Sequence, residues 1–297
     1  MSKLSEPLKA LINAAHAKPN TLPAPRNIRS VYEKIASNAA AKKVGMPAWL
    51  TASAAATFTM NSPESLLELY RLASSPTFKK SDTHGVYTAE FMREIGLKCI
   101  GLNGVPRTIN CLGAFFAGLP QEIQSELLKR PARRSLNSAN INDVVARGKW
   151  MWNDIYAPFS DKLTAKLAQS HPDMPVFIIE GEYGALFSNP PSSEIDTALR
   201  PNLGRVLTSV FAIAVLRAQT GVGPQVVSHV FGLRKAFDHG SAEAEGEVPV
   251  EGGKWLASDE GSVWLLEQVD EIIAALGGGE GSSFAPGHAA RKEKARL

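Results

Sequence analysis

TGVGPQVVSHVFGLRKAF, Thr220 to Phe237, opens on a Gly-Val-Gly-Pro turn and runs into an apolar helical stretch that carries one histidine, His229. Proline suits the first turn of a helix, where its missing N–H is a donor that has no intrahelical partner anyway. The preceding residues, 203–219, are apolar on nearly every side, as a buried central helix requires. The pattern is therefore helix, glycine-proline break, helix.

An echo of this hairpin lies upstream. FMREIGLKCIGLNGVPRTINCLGAFF, residues 91–116, also has a basic residue near its start, a buried helix, a glycine-proline break and a second helix. With Pro106 set against Pro224, Arg107 stands over Gln225, Cys111 over His229 and Ala114 over Gly232. Two such hairpins suit a duplicated helical fold packed about a pseudo-twofold axis.

Helical signals continue on both sides. Ser62-Pro63-Glu64 combines an N-cap, a first-turn proline and an early acid. Thr88 is placed to cap a helix starting at Ala89, and Pro120 opens another. Residues 138–170 read as a long helix or a pair broken at Pro158. Val263, Leu266, Val269, Ile273 and Leu276 recur every three or four residues, and Gly277 follows as a stop. VFII at 176–179 is the one strand candidate and reads equally as helix. The expectation is an all-α, multi-helix bundle containing two related helical hairpins. An N-terminal arm covers 1–30, mobile or wrapping; a single helical domain covers 31–276; a flexible Gly/Ser-rich, then basic, tail covers 277–297. Residues 238–257 are polar and predict a long, solvent-exposed loop.

Bulk properties narrow the function class. In 297 residues, apolar types make 44% and charged types 21%, ordinary proportions for a globular chain. A net charge of +3 with dispersed basic residues does not suggest nucleic-acid binding. Two cysteines, Cys99 and Cys111, cannot staple a disulfide scaffold. No secretory signal is visible, and the most apolar run, 206–216, is too short to insert in a membrane. Ala295-Arg296-Leu297 is a conservative variant of the C-terminal Ser-Lys-Leu tripeptide read by the peroxisomal import receptor. The expected location is the peroxisomal matrix, with cytoplasm or mitochondrion as alternatives.

The hairpin residues, above all GRVLTSVFAIAVLRAQTGVGPQVVSHVFGLRKAF and more faintly REIGLKCIGLNGVPRTINCLGAF, resemble the alkylhydroperoxidase D-like and carboxymuconolactone decarboxylase-like superfamily, in a divergent, fungal-type form. The resemblance covers about residues 85–240. It implies an all-helical, oligomeric protein. It also implies a small-molecule substrate handled without a metal or organic cofactor. In the superfamily's peroxidase branch a glutamate precedes Cys-x-x-Cys and then histidine; the decarboxylase branch keeps the histidine alone. On that pattern His229 takes the histidine position, Val222 and Gln225 the cysteine positions, and the glutamate position falls near Val210. In the first hairpin Cys111 takes the histidine slot and Arg107 a cysteine slot. The redox pair is thus missing, and peroxide reduction by a vicinal dithiol needs that pair to resolve a sulfenic acid.

The residues themselves leave alternatives open. His229 is either a proton-transfer group facing a pocket, tuned by burial or a carboxylate, or a core imidazole bonded to a carbonyl. Gln225, one turn earlier on the same face, orients the ring or binds a substrate carbonyl. Arg217 is a bidentate clamp for a substrate carboxylate or a helix-end cation reaching water; Arg107 joins it as a candidate substrate ligand. Glu182 and Tyr183, in IIEGEYGALF with Glu180, either supply the carboxylate or phenol partner of His229 or form an exposed turn. Cys111, early in its helix, is a dipole-activated thiol or a small buried hydrophobe. Trp150 and Trp152 read as packing anchors, and His171 as a loop residue with no metal-ligand spacing. Three functions follow: an enzyme acting on a small organic acid, lactone or carbonyl compound through His229; a peroxide-handling protein using Cys99 and Cys111; or a non-catalytic oligomeric module.

Overall fold

The computed structural model describes residues 4–17, 21–78, 81–190 and 201–278. The C-terminal tripeptide and nearly all of the tail lie outside these residues. Within them the chain is all-helical: α1 (Glu6–Ile12), α2 (Ile28–Ala41), α3 (Met46–Thr59), α4 (Pro63–Ala73), α5 (His84–Asn103), α6 (Val105–Gly118), α7 (Gln121–Leu128), α8 (Ile141–Tyr156), α9 (Ser160–Ser170), the single turn α10 (Asp173–Val176), a π-helix (Phe177–Phe187), α11 (Gly204–Gln219), α12 (Gly223–Asp238), the single turn α13 (Gly253–Leu256) and α14 (Asp259–Gly277). The strand candidate at 176–179 is helical.

Two helices make the centre. Every residue of α11 except Arg217 is buried, and α3 packs along it. α3 is built from Ala, Ser and Thr, whose small side chains let neighbouring helices approach. Three of its four hydroxyls are satisfied without leaving the helix; the fourth, on Ser53, is buried without a partner among the described residues. Thr51, Thr57 and Thr59 donate to the carbonyls of Pro47, Ser53 and Ala55 at 2.7, 2.7 and 2.8 Å. α5, α12 and α14 also pack on α11.

Both hairpins turn in the same way. Gly104 between α5 and α6 has φ +84°, and Gly221 between α11 and α12 has φ +73°. Each occupies the left-handed region that glycine enters without a Cβ clash. A proline follows in the first turn of the second helix in each case.

The structure departs from the sequence expectations at one helix start and along 238–257, and it fastens part of the N-terminal arm. α5 begins at His84 rather than after Thr88, because the His84 imidazole Nε2 pairs with the Ala73 carbonyl at 2.9 Å and fixes an earlier turn; Thr88 is buried inside the helix. The N-terminal extension is fastened from Leu22 onward. The Leu22 N–H donates to the Asn61 carbonyl (3.0 Å), the Ala24 N–H to the Glu64 carboxylate (3.0 Å), and Ile28 is buried. The polar stretch 238–257 keeps about half of its residues exposed but is pinned to the bundle at several points. Ser241 is buried and donates to Asp154 at 2.7 Å, Glu247 accepts the Arg205 backbone N–H at 2.6 Å, and the Glu251 carbonyl accepts the Gly45 N–H at 3.0 Å. Its polar side chains satisfy buried groups of the bundle.

α8 and the π-helix touch backbone to backbone at two glycines. A Cβ on Gly148 would run into the Ile179 carbonyl and lie 2.7 Å from the Gly184 nitrogen; one on Gly184 would lie 2.7 Å from the Val144 carbonyl. This contact sets Tyr183 against Trp152 and Tyr156 of α8, with ring centroids 5.3 and 6.1 Å apart.

Candidate functional site

A cavity of about 440 Å³ opens where α8, α9, the π-helix and the start of α12 converge. Its walls are largely apolar, with Leu163, Leu167, Ile178, Phe187 and Leu216 among them. Its polar groups are His229, Gln225 and Ser228 from α12, Glu182 and Tyr183 from the π-helix, Trp152 and Tyr156 from α8, and Lys166 and Ser170 from α9. An apolar hollow with a handful of converging polar groups is the usual build of a small-molecule site.

The imidazole of His229 is 5% exposed. Its Nε2 lies 3.4 Å from the Tyr156 hydroxyl, which in turn is 2.8 Å from the Tyr183 hydroxyl. Its Nδ1 is buried and has no hydrogen-bond partner among the described residues. Neither nitrogen is held by the main chain, so the bonded core histidine considered above is not what the fold builds. Burial, and then the positive charge of Arg205, push the ring pKa down to about 3. His229 is therefore a neutral imidazole at any cellular pH.

Arg205 supplies the lesser, electrostatic part of this shift. Fully buried, it donates from Nε to Asp154 (2.6 Å), from Nη1 to Ser209 (2.7 Å) and from Nη2 to the Gly232 carbonyl (2.7 Å). It ties α11 to α8 and to α12 one turn beyond His229. It is not among the residues singled out in the sequence; the lone arginine in the apolar run GRVLTSV is the signal that identifies it.

Glu182 is the titrating group of the cavity. Burial raises its carboxyl from the ordinary carboxylate range to about 7. Its charge also adds to the burial that raises the Tyr156 and Tyr183 phenols, both of which stay protonated at neutral pH. The Trp152 indole N–H is a second buried polar atom without a partner among the described residues. Sequence reading took Trp152 for a packing anchor and left Tyr156 unremarked. The run KWMWNDIY held both, but only the α8–π-helix contact brings them to His229.

Four of the seven candidate site residues, His229, Gln225, Glu182 and Tyr183, thus meet at one cavity. Glu182 and Tyr183 sit in a π-helix that buries Tyr183 rather than in an exposed turn. Arg217 is elsewhere: it grips Asp270 through two hydrogen bonds of 2.8 and 2.6 Å beside a separate surface groove. Arg107 is also elsewhere, donating to the Thr59 carbonyl at 2.7 Å. Cys111 is fully buried, and burial raises its thiol to about 12, the opposite of dipole activation. Burial, reinforced by Cys111, raises Cys99 as well.

Among the described residues, no group of three or more His, Cys, Asp or Glu side chains is arranged to hold a metal ion, and no helix is long and apolar enough to cross a membrane. No protein-family model, curated protein or solved structure matches this chain.

Proposed function

We propose that the chain is a divergent enzyme of the carboxymuconolactone decarboxylase-like type, and that it moves a proton on a small organic acid, lactone or other carbonyl compound held in the cavity beside His229. One observation carries this reading. A partly buried carboxyl near neutrality, Glu182, shares a largely apolar cavity with a neutral imidazole and an indole, and the imidazole Nδ1 and the indole N–H are unpartnered among the described residues. General acid–base groups work best with a pKa near the operating pH.

The division of labour differs from the one expected of His229. An imidazole held at about 3 is too weak a base to take a proton from carbon efficiently. Glu182 takes that role: its carboxylate removes a proton next to the substrate carbonyl, and the resulting acid returns it to the conjugated anion. His229, Tyr156 and the Trp152 N–H orient and stabilise the oxygen on which charge develops. Both thiols are held protonated by burial, which favours this reading over thiol-dependent peroxide chemistry.

The test is Glu182→Gln, assayed on a panel of β-keto acids and unsaturated lactones. Expected is a loss of about 10²–10⁴-fold in turnover, with the wild-type rate profile bending near pH 7 and the variant's flat there. Stability should move the other way. Because the folded pKa is raised, the folded state holds the proton more tightly, so wild-type stability falls as pH rises from about 4.5 to about 7. The glutamine variant lacks that loss and, after allowance for solvent screening, gains about 1–2 kcal/mol above pH 7. Full turnover by Glu182→Gln would remove the proposal.

A further inference from the structure

The cavity beside His229 does not end at Tyr156. A second hollow of about 440 Å³ adjoins it, and Tyr156, Leu163, Lys166 and Ser228 line both. The two halves lie between α9 and α12. α9 leans on α8 and α10 and buries none of its residues, so its inner side is available to a ligand. The outer half carries the apolar surfaces of Ile155, Pro158, Phe159 and Phe231; Phe159 and Phe231 are 66% and 54% exposed.

Charge is distributed unevenly along this cleft. The outer half is lined by Lys162, Lys166 and Lys235 and by no acidic residue among those described. Lys235 gives two hydrogens to the Ile155 and Ala157 carbonyls at 2.9 and 2.5 Å, which holds its cation at the wall. Lys162 and Lys166 stand one turn apart on α9, and neither makes an ion pair or hydrogen bond among the described residues. The inner half holds a single carboxyl, Glu182. The outer half therefore sets lysines beside apolar surface, Lys166 stands where the two halves meet, and the inner half carries the proton-transfer group.

We propose that the outer half is a carboxylate subsite, and that the cleft takes an elongated monocarboxylate whose apolar chain spans from Lys162 and Lys166 to the groups around His229. This rests on the proton-transfer reading for what happens at the inner end, but the binding itself does not require it. It also replaces the carboxylate clamps expected of Arg217 and Arg107, which the fold uses elsewhere. Each methylene buried adds to the favourable transfer from water, so a chain long enough to cross both halves binds far more tightly than a short acid.

Titration calorimetry on the full chain with butyrate, octanoate and 1-octanol tests this. Octanoate should bind at least tenfold more tightly than butyrate, and its affinity should fall with added salt. The exposed double variant Lys162→Ala/Lys166→Ala, checked for an unchanged melting temperature, should weaken octanoate about tenfold and leave 1-octanol unchanged. Equal binding of octanoate by wild type and double variant would overturn the subsite, as would equal effects on acid and alcohol. Glu182→Gln separates the two proposals. If it stays fully active while octanoate binding keeps its lysine dependence, the subsite stands and the proton-transfer role falls. If it is inactive while the lysines prove irrelevant to octanoate, the reverse holds.

Discussion

The two hairpins place Cys111 and His229 at equivalent points of equivalent turns, yet only one borders a cavity. In α5–α6 the polar groups near the turn are absorbed by the bundle: Asn103 donates to Thr59 at 3.1 Å, the Leu102 carbonyl accepts from Gln219 of α11 at 2.5 Å, and Arg107 donates to the Thr59 carbonyl. In α11–α12 the corresponding helix faces α9 across a cleft, and His229 keeps a nitrogen without a partner among the described residues. Burial makes both side chains neutral, raising the thiol to about 12 and lowering the imidazole to about 3. A shared helical layout therefore yields core in one place and a candidate site in the other. The neighbouring element makes the difference: α4 packs on α6 of the first hairpin, whereas α9 leans on α8 and α10 and leaves a cleft against α12 of the second.

Removing the arginine of each hairpin breaks this contrast most severely. Arg205→Met would leave Asp154, 10% exposed, without its cation and with only Ser241 and the more distant His239 as hydrogen-bond partners. Stripping one partner from a buried ion pair costs about 3–5 kcal/mol. The Ser241 bond and partial exposure put the expected loss near the lower end, about 3 kcal/mol by chemical denaturation. Arg107→Met removes a bond to the Thr59 carbonyl from a partly buried guanidinium and should cost about 1 kcal/mol. Equal costs would mean that the two hairpins are held in the same way after all.

A pH-dependent effect separates the two equivalent positions. His229→Gln should change the acid response. With its folded pKa depressed to about 3 against 6.5, the buried ring contributes stability that is complete above pH 6.5 and is lost as pH falls toward 3. The glutamine variant should lack that part of the acid sensitivity, a few kcal/mol between those limits, and should lose turnover through the misplaced oxygen contact. Cys111→Ala should cost about 1–2 kcal/mol through the small cavity it leaves, and should leave turnover unchanged. A turnover loss in the cysteine variant would restore the thiol route and dissolve the distinction between the hairpins.

How far these features could be read beforehand follows from their range along the chain. First-turn prolines, the glycines at 104 and 221 and the buried run 203–219 are local signals, and the helices they announce are present. The break at Pro158 likewise falls between α8 and α9. The meeting of Tyr156, Tyr183 and His229 is not local. It depends on Gly148 and Gly184 letting two backbones touch, which no periodicity encodes. Polar composition misled at 238–257 because Ser241 and Glu247 are spent on Asp154 and the Arg205 backbone, partners that lie 87 and 42 residues away in sequence. Glu182 was visible as a carboxylate in an apolar run; its elevated pKa arises from the walls that surround it.

The least effect is expected at Arg217, and it marks the edge of the site. Its guanidinium and the Asp270 carboxylate are each 45% exposed, and their paired hydrogen bonds cross from α11 to α14 in water-accessible surroundings. Such pairs contribute about 0–1 kcal/mol, since solvent screens the attraction and ordering two long side chains opposes it. Arg217→Ala should therefore shift stability by less than about 1 kcal/mol, with a difference that shrinks in high salt. Turnover and octanoate binding should match wild type, because the groove beside Arg217 shares only Leu216 with the cavity of His229. A tenfold loss of affinity for a carboxylate in this variant would instead move the anion-binding end of the site from α9 to the end of α11.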